Sequence, residues 1–117
     1  MEYKNKLSER TLIFSKQIIR FCSLLPKNNI NNILIRQIVR SSTSVGANYL
    51  EANDPLGEKD FLHRLRIARK EAKETIYWLD IMLDSNKNFE SDIIILKSEC
   101  EELIKILSSI ILKKLKK

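Results

Sequence analysis

The chain has 117 residues, 44% hydrophobic and 31% charged, which suffices for one buried core and is too short for two; a single globular domain is expected rather than a disordered chain. Two glycines and two prolines are too few to turn a sheet of short strands, so the composition predicts a few long helices in one domain, residues 1–117. The net charge of +6 is uneven: residues 1–30 hold six Lys/Arg against two acids, residues 58–84 hold six of each, and the chain closes on Lys113, Lys114, Lys116 and Lys117. A basic surplus of this kind favours polyanionic partners, nucleic acid or an anionic membrane, over acidic ones.

Leu7, Thr11, Phe14, Ile18, Phe21 and Leu25 recur at alternating steps of four and three, one face of a helix over 8–25. Ser8 is the expected N-cap and Pro26 the stop. A second helix is predicted from 31 or 32 to 53, with Leu34, Ile38, Ser41, Val45, Tyr49 and Ala52 on its inner face. Its middle, residues 40–47, is small and polar, which lets a neighbouring backbone approach closely. Asp54-Pro55-Leu56-Gly57 breaks the chain. The third helix, 58–84, keeps a seven-residue repeat through Phe61, Leu65, Ala68, Ala72, Thr75, Leu79 and Met82. Residues 85–90 read as a loop. A fourth helix starts near 91, with Asp92 in its first turn and Leu96, Cys100, Leu103, Leu107 and Ile110 as its seam. Short loops between long helices predict an antiparallel, up-down-up-down four-helix bundle.

The fourth helix carries more apolar surface than one seam needs, in Ile93, Ile94, Ile95, Ile104, Ile106, Ile111 and Leu112. Trp78 and Ile67 also lie off the third helix's seam. Such surplus predicts a homo-oligomer, a wider core being the alternative. Cys22 and Cys100 have no paired spacing and read as reduced core thiols. The opening residues are polar, with no apolar signal core, and no apolar run reaches transmembrane length; the expected location is the cytoplasm.

Chemistry has few footholds. Asp60 and His63 stand three apart, as in carboxylate-bridged metal bundles, but His63 is the sole histidine and faces outward by periodicity, so no metal and no cofactor is expected. No nucleophile is positioned beside it, and there is no Gly-rich phosphate loop; the expectation is no enzyme. The basic end of the last helix fits an anionic membrane, but packing already accounts for its apolar side. Two polar stripes remain. Lys59, His63, Arg66, Lys70 and Lys73, spaced four, three, four and three, form a row opposite the third helix's seam, able to face phosphates. An ordinary solvated face is the alternative, with Glu71 and Glu74 nearby. Arg40, Ser44, Asn48 and Glu51 flank the second helix's apolar face. With Glu71 or Glu74 as acceptors, they predict a structural polar network that sets the register between helices or subunits. An intersubunit enzyme site of Arg40, Glu51 and Glu74 is a remoter alternative.

Three stretches read together carry a resemblance: residues 34–45, rich in Arg and Ser around Arg36, Arg40 and Ser41; then Gly46-Ala47-Asn48-Tyr49-Leu50-Glu51-Ala52; then 58–68 with Phe61, Leu62, Leu65, Ile67 and Ala68, followed by Glu71 and Glu74. They resemble the bacterial four-helix-bundle proteins encoded in intervening sequences of 23S rRNA genes, a family that also takes in accessory proteins of diversity-generating retroelements. Leu12-Ile13-Phe14 stands where the family usually opens with a Trp-containing segment. The resemblance implies a closed homo-oligomeric ring, commonly a pentamer, with no enzymatic activity. It also implies basic surfaces that, in the retroelement members, meet nucleic acid and a reverse transcriptase. The function expected is therefore nucleic-acid or ribonucleoprotein binding as an oligomer, the alternative being a protein-interaction scaffold or accessory subunit without nucleic-acid contact.

Overall fold

Four helices follow one another in the computed structural model, which describes residues 6–54 and 56–116: α1 (Lys6–Leu24), α2 (Asn29–Ala52), α3 (Glu58–Ser85) and α4 (Glu90–Leu115). A 3-10 turn, Lys87–Phe89, leads into α4, and no strand occurs among the described residues. Residues 1–5, Pro55 and Lys117 lie outside them, and with them most of the polar N-terminus, one residue of the 54–57 break and the end of the basic tail.

The heptad faces converge on one core. Phe14, Ile18, Ile38, Val45, Leu65, Leu79, Met82, Leu103 and Leu107 are fully enclosed in it. Each helix packs on its neighbours in the chain, and α4 returns to α1. Side-chain pairs fix these contacts. Asn31 at the start of α2 meets Asn86 just past the end of α3, each carboxamide donating to the other at 3.0 Å. Glu58 at the start of α3 meets Lys114 near the end of α4 at 2.9 Å. Arg10 on α1 clamps Glu99 on α4 with two bonds of 2.7 Å, the planar fork geometry that makes Arg–carboxylate pairs strong.

α1 begins before Ser8, so the expected N-cap is an interior position. Ser8 is buried, and its hydroxyl accepts from Asn53 Nδ2 at 3.2 Å, tying α1 to the far end of α2. At the other end, Lys27 Nζ donates to the carbonyls of Cys22 and Leu25 at 2.9 Å, serving groups the helix leaves open. α2 starts earlier than expected because Asn28, in extended conformation, caps it: Oδ1 accepts from the Asn31 amide at 2.8 Å.

The small, hydroxyl-rich middle of α2 stays helical because its polar groups find partners. Thr43 Oγ1 donates to Val39 O at 2.7 Å. Buried Ser41 and Thr75 share a hydrogen bond of 2.8 Å between α2 and α3. Gly46 is where α1 comes closest: a Cβ there would stand 3.0 Å from Thr11 Oγ1 and 3.1 Å from Thr11 Cβ. Gly57 supplies the other special backbone, with φ of +144° at the start of α3, a conformation that side chains disfavour.

Candidate nucleic-acid interface

Lys59, His63, Arg66, Lys70 and Lys73 all lie on the exposed face of α3. Helical geometry puts them in one row of about 21 Å, 14 residues at ~1.5 Å each. None of them makes an ion pair with another described residue. The acids of α3 explain why. Glu58 meets Lys114 at 2.9 Å and Asp60 faces Arg64 at 3.6 Å. Glu71 meets Arg40 at 3.2 Å, Glu74 also pairs with Arg40, and Asp80 meets Lys97 at 2.8 Å. Every carboxylate of α3 up to Asp80 is thus turned to a cation outside the row. The nearby Glu71 and Glu74 do not neutralise Lys70 and Lys73; they face α2.

The row continues at the same spacing beyond Lys73, into Tyr77, Asp80 and Asp84. It is therefore polarised: cations at its N-terminal end, one aromatic residue, then acids. The heptad step makes this continuation visible in the sequence.

The second stripe does not form the single network expected. Arg40 joins Glu71 and Glu74, linking α2 to α3. The hydrogen bond to Glu74 holds the Arg40 guanidinium above its usual range, and burial pushes the Glu71 carboxyl up against the opposing pull of Arg40. Asn48 turns back on its own helix instead, donating to Ser44 O and Ser44 Oγ at 2.9 Å. Glu51 is exposed and joins neither group, so Arg40, Glu51 and Glu74 do not come together in one site. Arg40 itself is half exposed, which makes the cluster a surface clasp between two helices more than a buried device.

Cys22 and Cys100 are both free and buried; burial pushes their thiols up to about 11 and about 12. Cys100 Sγ donates to Ala72 O at 3.2 Å, a packing role between α3 and α4. Among the described residues no group of three or more His, Cys, Asp or Glu is arranged to hold a metal ion, and no helix is long and apolar enough to cross a membrane.

Residues 4–109 match the family described as the 23S rRNA-intervening sequence protein. The chain belongs to this family. A crystal structure of a protein of unknown function from the S23 ribosomal protein family of Bacteroides thetaiotaomicron VPI-5482 is similar to it, with 32% identity over 91% of this chain and 98% of that one and a TM-score of 0.84. No curated protein is significantly similar. Family membership covers α1, α2, α3 and most of α4, so both polar stripes lie within the matched region.

Proposed function

We propose that this intervening-sequence family member is a non-enzymatic nucleic-acid-binding protein of the cytoplasm, acting as a homo-oligomer through the basic row of α3. The observation that carries this reading is the pairing of α3's carboxylates with Arg40, Arg64, Lys97 and Lys114, which leaves the cations of the row available. An ordinary solvated face would mix both signs and satisfy them locally. Lys and Arg in a row give affinity for phosphate with little sequence selectivity. The family's name joins it to rRNA genes, which makes structured RNA the first ligand to test.

The oligomer reading rests on apolar surface. Ile94, Ile95, Leu112 and Leu115 of α4 and Ile13 and Leu24 of α1 are each more than half exposed. Leu24 and Ile95 line an open groove between α1 and α4, beside Phe21 and Leu96. The end-to-end pairs Asn31–Asn86 and Glu58–Lys114 support up-down-up-down order, which leaves these flanks on the outside. Copies meeting through them would close a ring, five by likeness to the family. A ring repeats the basic row, and avidity raises the strength of weak single contacts.

Fluorescence anisotropy with a structured RNA and a DNA duplex at two salt concentrations tests the reading. Binding that weakens steeply with salt is expected. No binding at low salt would contradict it and favour a protein-interaction scaffold docking through the apolar flank of α4.

A further inference from the structure

We propose that Tyr77 is a base-stacking platform at the end of the α3 row, so that this surface takes single-stranded nucleic acid in preference to duplex. The inference rests on the reading of the row as a phosphate track and adds its specificity.

Tyr77 is 60% exposed, although it is a large and largely apolar side chain. It takes no place in the core, which at this level is filled by Thr75, Leu79 and Met82. Its position is the next step of the row after Lys73, about 6 Å further along the helix. Its ring lies edge-on to that of Trp78, with centroids 5.3 Å apart and planes at 71°. That contact holds the phenol against the bundle while most of it faces water. A ring held in this way loses little freedom when a planar ligand stacks on it.

The charge pattern says which ligand fits. From Lys59 to Lys73 the row offers cations over about 21 Å, enough to face several consecutive phosphates of one strand. Beyond Tyr77 stand Asp80 and Asp84. Asp80 is neutralised by Lys97 at 2.8 Å, whereas Asp84 makes no ion pair among the described residues and would repel a phosphate. A nucleic-acid backbone therefore ends its favourable run where the aromatic ring begins. An unpaired base at that point can turn onto the ring. In a duplex the base faces are covered by their neighbours, and Tyr77 gains nothing. Cation track plus aromatic platform is the combination by which proteins bind single strands without reading sequence. RNA and DNA share this chemistry, so both serve as probes.

The test compares wild type, Tyr77→Leu and Tyr77→Phe in anisotropy titrations with an unstructured RNA, an unstructured DNA and a long DNA duplex, each at two salt concentrations. Leu keeps an apolar cover on Trp78 and removes the π face; Phe keeps the face and removes only the hydroxyl. Circular dichroism checks that each variant keeps its helices. Expected are tighter single-strand than duplex binding in wild type and an affinity for single strands about fivefold or more weaker in Y77L. Y77F should match wild type, and the salt slope should stay unchanged, because no charge is removed. Y77L binding single strands as tightly as wild type would overturn the inference while leaving the track in place. A wild type that binds neither form in a salt-sensitive way would overturn the track, and the inference with it.

Discussion

Cys22 and Cys100 illustrate how a side chain's surroundings decide its chemistry. Both thiols are held in the protonated form by burial, with pKa values of about 11 and about 12 against 9.0 for a free thiol. The folded state thus keeps protons that the unfolded state gives up. The resulting stability is full below pH 9 and is lost as pH rises through the folded values. Near pH 8 the native protein should react only slowly with a thiol reagent, and both cysteines should titrate once it is unfolded. Fast labelling of two thiols in the native protein would contradict this. Their burial was legible from the helical pattern, because Cys100 sits on the α4 seam and Cys22 beside Phe21. The partners of Asn48 were not. Helical spacing places Asn48 beside the core, but only its rotamer decides between Glu71 across the groove and Ser44 one turn back on its own helix.

At the scale of the helices, the repeat of apolar residues was enough to find four elements and nearly all of their inner faces. It failed where an ideal helix drifts from a strict heptad. The seam of α4 was expected to reach Ile110, but Ile111 is the buried residue and Ile110 is only partly buried at the edge of the core. A straight helix falls about 20° short of two full turns per heptad, and by the last turn the inward position has moved on by one. The start of α1 was missed for another reason. Ser8 looks like a cap, yet the helix extends past it, and its hydroxyl serves Asn53 instead.

Asn31 and Asn86, neither of which stands out in the sequence, hold the end of the bundle where α2 begins and α3 stops. Both are buried, and the reciprocal pair is supplemented by Asn31 Nδ2 donating to Pro26 O at 2.9 Å. Asn86→Ala leaves the Asn31 carbonyl oxygen without that partner, and should cost about 1–3 kcal/mol in denaturant unfolding. Replacing both residues by Leu should cost less than the two single changes added together, since neither carboxamide is then left facing a lost partner. Additive losses would show that the two amides do not act as a pair.

For the whole molecule, two surfaces of opposite character remain outside the core. The α3 row is polar and polarised, and the flanks of α1 and α4 are apolar. Light scattering should give a mass well above 13.7 kDa, and Ile95→Glu with Leu112→Glu should shift the protein towards that single-chain mass with its helicity intact, because both side chains are more than half exposed in one chain. A wild type at the single-chain mass would remove the ring from the account and leave the row to bind alone. The α3 row was written in the sequence as a spacing of cations. Its availability was not, because that depends on which way Glu71, Glu74 and Asp80 turn, and each turns to a partner on another helix.

The salt dependence of nucleic-acid affinity in wild type and in the triple variant Arg66→Gln, Lys70→Gln, Lys73→Gln tests the central claim most directly. Each phosphate contact adds about 0.7–0.9 to the slope of log affinity against log salt, so losing three should weaken binding and flatten the slope by roughly two. Equal affinity and equal slope in the two proteins would place binding elsewhere and contradict the role assigned to α3.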